Sequence, residues 1–119
     1  MQTVVRTKTF EVAAKECGLA EGEIDALEIM LATKPDAGDP IQGSGGCRKM
    51  RLAGRGKGKS GGYRVITFYS GASIPVYLIY MYSKGKRDDL SDSQVSALKA
   101  TAKTITDGHN RMGSATKRI

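Results

Sequence analysis

The sequence predicts an α+β domain in which a small, mainly antiparallel sheet carries helices packed on one face. Three observations lead to this class. A short strand-like segment, residues 2–9, is followed by two helical segments; three strand-like segments then occupy the middle of the chain; and one amphipathic helix comes after them. The length of 119 residues suits a single domain. We therefore predict one domain over residues 1–107, followed by a flexible basic tail over residues 108–119.

The helices are predicted from the spacing of apolar residues and from residues that start or stop a helix. Residues 10–17 accommodate one or two helical turns. Residues 21–33 form a stronger helix, because their apolar side chains recur at three- and four-residue intervals. Ser91 and Gln94 have the spacing of a capping box, and the apolar stripe that follows them is expected to end near Gly108.

The strands of the middle of the chain are predicted from β-branched and aromatic residues between turn-forming residues. Strands are expected over residues 48–53, 62–69 and 75–82. The last two are apolar at nearly every position, which is typical of central strands that are covered on both faces. The Ser-Gly-Ala-Ser sequence of residues 70–73 forms a short turn between them, so we predict an antiparallel hairpin.

Charge is distributed unevenly along the chain, whose formal net charge is +7. Between Pro40 and Arg87 there is no Asp or Glu, whereas ten Lys or Arg residues fall in the same span. Residues 48–64 read RKMRLAGRGKGKSGGYR and contain seven of these cations together with five glycines. The pattern indicates a cationic glycine-rich loop between two strands, which is complementary to a polyanion such as RNA.

The residue types that are missing or isolated exclude several common chemistries. His109 is the only histidine, and the two cysteines, Cys17 and Cys47, lack the spacing of a metal motif. We therefore expect no His-based triad, no zinc site and no cofactor, and we interpret both cysteines as small buried hydrophobic residues. The first residues lack the apolar core of a secretory signal and no apolar run is long enough to span a membrane, so we expect a cytoplasmic protein.

Lysine, arginine and tyrosine suffice for one reaction, the cleavage of RNA by its own 2′-hydroxyl group. The substrate supplies the nucleophile, and the protein must position it, transfer protons and stabilise charge on phosphorus. The planar fork of an arginine matches phosphate oxygens. Lys57 and Lys59 have cationic neighbours in Arg55 and Arg64, and like charges lower the pKa of a lysine towards the range that a base needs. These residues alone favour RNA binding over catalysis, and both stay open.

Two longer stretches of the sequence distinguish between RNA binding and catalysis. Residues 35–69 read PDAGDPIQGSGGCRKMRLAGRGKGKSGGYRVITFY, and residues 76–90 read VYLIYMYSKGKRDDL. Both stretches resemble the RelE-like toxins of bacterial toxin–antitoxin operons, in particular the HigB-type branch, and the resemblance covers about residues 35–105. The loop sequence GRGKGKSGG departs from the family pattern by an extra Gly-Lys, which leaves open which lysine takes the catalytic place.

The resemblance implies a microbial-RNase-like fold and a ribosome-dependent mRNA endonuclease that works without metal and inhibits translation. It also implies three partners: a cognate HigA-like helix-turn-helix antitoxin, the 70S ribosome and mRNA, with the toxin and antitoxin forming a hetero-oligomer. The catalytic residues that it implies are Lys57, Lys59, Arg64, Tyr82 and Lys84. Among these, Arg64 is expected to stabilise the phosphorane. The RNA- or ribosome-binding residues that it implies are Arg48, Lys49, Arg51, Arg55, Lys86 and Arg87.

Two other functions stay open beside this one. A ParE-like gyrase poison of the wider superfamily binds a protein target and has no RNase activity, and the clustered loop lysines argue against it. A non-catalytic RNA-binding module is consistent with the basic sheet alone.

Overall fold

The computed structural model describes residues 1–53, 62–71, 73–83 and 89–117, with side chains described up to residue 110. In chain order its elements are β1 (Val4–Arg6), α1 (Lys8–Glu16), α2 (Glu21–Thr33), β2 (Asp39–Pro40), β3 (Cys47–Leu52), β4 (Tyr63–Phe68), β5 (Val76–Ser83) and α3 (Asp92–Lys117). The α+β class is confirmed. The prediction for α2 agrees at both ends, and each boundary of β3, β4 and β5 lies within one residue of its predicted position.

The five strands form one mixed sheet in the order β1-β5-β4-β3-β2. Only β1, which pairs with β5, is parallel to its neighbour; the other pairs are antiparallel. The mainly antiparallel sheet and the β4–β5 hairpin are therefore as predicted. The pairing of β4 with β5 is irregular between Ile66 and Thr67, where the register shifts by one residue. The central position of β4 is consistent with its almost completely buried side chains.

The helices lie on both faces of the sheet, which corrects the prediction of helices on one face. Helices α1 and α2 pack against the face that carries Val65. On the opposite face, which we call the α3 face, Leu98 and Ala102 of α3 pack against Ile66. Because successive residues of a strand point to opposite faces, Val65 and Ile66 each need their own cover. Strands that are apolar on both faces therefore require helices on both.

Helix α3 begins as predicted but is longer. The N–H of Ser91 donates to Gln94 Oε1 at 2.9 Å, and the N–H of Gln94 donates to Ser91 Oγ at 3.2 Å, so the capping box forms. The expected end near Gly108 is wrong, because the helix continues to residue 117. One glycine costs a helix interior only about 1 kcal/mol. A hydrogen bond of 2.7 Å between Tyr77 on β5 and His109 on α3 stabilises this part of the helix against the sheet.

Helix α2 is held to β1 by charge as well as by its apolar side. The guanidinium of Arg6 pairs with three α2 carboxylates: Glu21, Asp25 at 2.9 Å and Glu28 at 2.7 Å. The hydrogen bond to Glu28 is the largest cause that raises the pKa of Arg6 above its ordinary value. Three of the eight acidic residues in positions 1–40 are thus gathered around one cation, on the side of the sheet away from the α3 face.

The two cysteines form no disulfide bond and differ in their surroundings. Cys47 is buried under α3, and this burial raises the pKa of its thiol to about 11. Cys17 is partly exposed. The expectation of a buried hydrophobic residue therefore holds for Cys47 and only partly for Cys17. Among the described residues no helix is long and apolar enough to cross a membrane.

Candidate active site

Beside helix α3, the α3 face of the sheet carries a cleft of about 440 Å³. We call it the cationic cleft. Its lining residues are Gly38, Asp39, Lys49, Met50, Arg51, Arg64 and Asp89. Alternation along β3 explains this composition, because Lys49 and Arg51 point to the same face as Cys47, which packs under α3. The cleft thus brings together three cations from β3 and β4 and two carboxylates from distant parts of the chain.

Strand pairing arranges the key side chains in rows across the sheet. Arg51 on β3 lies opposite Arg64 on β4, and Arg64 lies opposite Tyr82 on β5. The next row on the same face begins with Lys49, about 6.8 Å away at two residues along the strand. Like charges directly opposite each other destabilise a sheet. An anion that lies between the facing arginines would therefore offset the repulsion between their charges.

Burial makes Arg64 a fixed donor. Its exposed fraction is 6%, although arginine is almost never buried unless it has partners. It lies on the central strand, between two paired neighbours, and its burial limits the freedom of its side chain to move. A preorganised donor of this kind stabilises charge that develops in a transition state, because no reorganisation is needed during the reaction.

Tyr82 and Tyr80 differ in how much surface they offer. Tyr82 is only 5% exposed and packs in the apolar cluster under α3. Tyr80 is partly exposed, and its ring centroid lies 6.2 Å from that of Tyr82, with the rings tilted by 30°. The sequence singled out Tyr82 for substrate contact. The structure places Tyr82 mostly inside and gives Tyr80 the more accessible ring.

Lys49 belongs to the cationic cleft together with its two carboxylate neighbours. Its Nζ lies 3.8 Å from Asp89 Oδ1, and its Cα partner across the β2–β3 pair is Asp39. The side chain of Asp89 is 91% exposed, and an ion pair with so exposed a partner contributes less than about 1 kcal/mol. A phosphate oxygen can therefore replace Asp89 at Lys49. Sequence reasoning missed both acids, because nothing local relates residues 39 and 89 to a cation near residue 49.

Arg48 lies on the other side of its strand. It alternates with Lys49, and its Nη1 donates to the backbone oxygen of Gly38 at 3.1 Å. The sequence grouped Arg48, Lys49 and Arg51 as one set of docking charges. In the structure, Lys49 and Arg51 line the cationic cleft together with Arg64. Arg48 instead lies at the edge of the sheet, where it contacts the segment that precedes β2.

Gly38 shapes the wall of the cationic cleft. Its φ is +94°, and a Cβ atom there would lie 2.7 Å from the backbone oxygen of Lys49. This φ favours glycine, and the distance is too short for any side chain. The close approach of the two backbones sets the position of Lys49.

Six of the site residues predicted from the sequence lie outside the described residues: Arg55, Lys57, Lys59, Lys84, Lys86 and Arg87. The chain connects them to the cleft. Residues 54–61 join the end of β3 to the start of β4, and residues 84–88 join the end of β5 to Asp89. The described strand ends that flank both segments, Leu52, Tyr63 and Ser83, pair with one another next to the row of Arg51, Arg64 and Tyr82. Within the described parts of the chain, no three His, Cys, Asp or Glu residues form a group that could hold a metal ion.

Two comparisons with known proteins bear on this arrangement. Residues 2–115 match the family model described as the RelE toxin of the RelE/RelB toxin–antitoxin system. Among solved structures, the chain is similar to a double arginine-to-alanine mutant of the Escherichia coli toxin RelE in the free state, with 17% identity and a TM-score of 0.51. The match covers 84% of this chain and 95% of that one. At this identity the structural likeness supports the fold alone.

Proposed function

Because the chain belongs to the RelE toxin family, we propose that it is a ribosome-dependent mRNA endonuclease that inhibits translation by metal-free attack of a 2′-hydroxyl group. The observation that carries the proposal is the pair of facing arginines, Arg51 and the buried Arg64, in one open cleft of about 440 Å³. Two guanidinium groups on neighbouring strands suit the oxygens of a single phosphate.

The reaction needs charge stabilisation and two proton transfers. The 2′-oxygen of the substrate bonds to the adjacent phosphorus while the bond to the 5′-oxygen of the next nucleotide breaks, which leaves a 2′,3′-cyclic phosphate and a 5′-hydroxyl. Arg64 donates to the non-bridging oxygens as negative charge grows on them, and Arg51 assists from the opposite strand. A base must take the proton of the 2′-hydroxyl, and an acid must give one to the leaving oxygen.

The proton-transfer roles in this proposal go to lysines singled out by the sequence. They are Lys57, Lys59 and Lys84, which lie outside the described residues; in the chain, Lys57 and Lys59 fall between β3 and β4, and Lys84 directly follows β5. Tyr82 lies opposite Arg64 on β5, and its role in the proposal is to orient the substrate at that end of the strand. Lys49 binds a neighbouring phosphate from the next row, at a spacing of about 6.8 Å.

The remaining cations of the sequence prediction have a docking role in the proposal. Arg48, Arg55, Lys86 and Arg87 contact ribosomal RNA, as a basic surface does with a polyanion. The α2 side of the molecule, where Arg6 is surrounded by carboxylates, faces away from the RNA strand in the cationic cleft. This separation of charge orients the toxin on its target.

The family implies an antitoxin partner. In our proposal this partner is a HigA-like helix-turn-helix protein that forms a cytoplasmic hetero-oligomer with the toxin. The test is to search beside the gene for a small open reading frame with a helix-turn-helix sequence and to co-express it: the two proteins should purify together and growth should recover. An adjacent gene product that neither binds nor neutralises the toxin would contradict this part of the proposal.

The activity itself is tested by incubating the purified protein with translating ribosomes and mapping mRNA ends. We expect new 5′-hydroxyl ends on ribosome-bound message and none on message without ribosomes. Intact message with salt-dependent RNA binding would favour the non-catalytic RNA-binding module. Intact message together with a DNA-damage response in expressing cells would favour the gyrase poison.

Replacing the counter-ion of Lys49 gives a further prediction. Asp89→Asn removes the charge that competes with phosphate at Lys49, 3.8 Å away. We expect RNA affinity to rise about 1.4- to fivefold, because an exposed ion pair contributes about 0.2–1 kcal/mol. The measurement is an RNA titration at low salt, with Asp107→Asn as a control that removes an equal charge from α3. An unchanged or lower affinity for Asp89→Asn would show that Asp89 does not compete with RNA.

A further inference from the structure

A second, apolar cleft lies beside the cationic cleft on the α3 face. Its volume is about 240 Å³, and it is enclosed by β4, β5, the start of α1 and the first half of α3. We call it the apolar cleft. Ile66, Tyr80 and Leu98 supply apolar surface, and Gln94 and Ala97 line it from the helix. The described lining residues include no charged side chain.

The two clefts are lined by residues that are neighbours in the sheet and in the chain. Ile66 of the apolar cleft lies directly opposite Lys49 of the cationic cleft across the β3–β4 pair. Leu90 of the apolar cleft immediately follows Asp89 of the cationic cleft. A ligand that places a phosphate at Lys49 therefore has its adjoining part beside the apolar cleft.

The lining of the apolar cleft matches the chemistry of a nucleobase. The partly exposed ring of Tyr80 offers a stacking surface, and proteins recognise single-stranded RNA by stacking splayed bases on aromatic side chains. The Oε1 atom of Gln94 is used in the capping box with Ser91, which leaves the amide nitrogen as the donor for an acceptor on the edge of a base. The volume lies below the range of about 300–1,000 Å³ that drug-sized ligands occupy, and so suits one planar base.

We propose that the apolar cleft receives one unstacked base of the RNA strand whose phosphate lies in the cationic cleft. The inference rests on the proposed function and adds a base-selecting position to it. An apolar side chain of a protein partner is the other occupant that such a cleft could take. The uncharged lining, the amide donor and the adjacency to the cationic cleft favour the base.

Two matched substitutions on α3 test the proposal. Ala97 and Ala100 are both exposed on this helix, but only Ala97 lines the apolar cleft. Ala97→Phe fills the cleft from the solvent side without disturbing the core, and Ala100→Phe adds the same ring outside it. Ala97→Leu is a second filling variant of smaller size. Circular dichroism spectra and melting temperatures establish that each variant is folded.

The probe is a short RNA with 2′-O-methyl groups throughout, which prevent cleavage, and with the fluorescent base 2-aminopurine at one position in turn. With the unsubstituted protein at low salt, we expect quenching at one position of the RNA. Ala97→Phe should remove that quenching and weaken binding about tenfold, the usual effect of losing one stacked base, whereas Ala100→Phe should do neither. An abasic nucleotide at the quenched position should weaken binding to the unsubstituted protein but not to Ala97→Phe, because the two changes remove the same contact.

Several outcomes would overturn the proposal, and they separate it from the proposed function. If RNA binds without quenching at any position, or if the two phenylalanine variants quench equally, no base occupies the apolar cleft. In both cases the cationic cleft is still an RNA site. Normal quenching by Ala97→Phe with loss of antitoxin binding assigns the cleft to the protein partner. Failure of the unsubstituted protein to bind this RNA contradicts the inference, whereas the proposed function is contradicted only by intact message in the ribosome assay.

Discussion

Arg64→Ala is expected to lower the rate of mRNA cleavage about 10²- to 10³-fold, which corresponds to about 2.7–4 kcal/mol of lost transition-state stabilisation. The reason is the position of Arg64: it is 6% exposed, on the central strand and opposite Arg51 in the cationic cleft. Truncation also removes a like charge that faces Arg51, which offsets part of the packing that is lost. We therefore expect the variant to remain folded and to lose its ability to arrest growth.

The measurement for Arg64 is single-turnover cleavage on programmed ribosomes. Arg64→Lys keeps the charge without the planar fork, and its rate should lie between those of the alanine variant and the unsubstituted protein. Lys15→Ala is the control, because it removes one positive charge from an exposed position on α1, on the other side of the sheet. If Arg64→Ala cleaves and arrests growth as fast as Lys15→Ala, Arg64 does not stabilise the transition state.

Gly38→Ala is expected to lower the free energy of unfolding by about 1–3 kcal/mol. Two effects act together: the φ of +94° is unfavourable for alanine, and the added Cβ would lie 2.7 Å from the backbone oxygen of Lys49. To relieve that contact, either β3 or the chain before β2 must move. Because Lys49 and Arg51 lie on β3, we also expect RNA cleavage to fall in the folded variant.

The measurement for Gly38 is equilibrium unfolding in urea, together with the cleavage assay. Gly22→Ala is the matched control, because Gly22 lies in α2 with nothing within 4 Å of an added Cβ. This substitution should leave the protein as stable or make it more stable by up to about 1 kcal/mol. Equal stability of the two variants would show that the chain at Gly38 adjusts without strain.

The elements of the fold were largely predictable because their signals are local. The capping box of Ser91 and Gln94 and the apolar spacing of α2 depend on residues a few positions apart, and both agree with the structure. The length of α3 was not predictable in the same way. Gly108 is a local stop signal, but the contact of His109 with Tyr77 on a distant strand outweighs it.

The candidate site was predictable only in its residue types. Arg64 was identified from its place in the motif and lies in the cationic cleft as a buried cation. Asp39 and Asp89 could not be related to Lys49 from sequence, because strand pairing and chain folding bring them to it. The partial exposure of Tyr80 and the burial of Tyr82 also depend on packing under α3, which no local pattern expresses.

By itself, the sequence determined the types and order of most elements, the cationic middle of the chain and the resemblance to RelE-like toxins, because periodicity, charge and motif are properties of the chain itself. Only the tertiary structure decided that helices cover both faces of the sheet. It also decided that Lys49 and Arg51 share a cleft with Arg64 while Arg48 does not. The physical reason is strand register: one residue along a strand reverses the face, and only pairing with the neighbouring strand decides which cations meet.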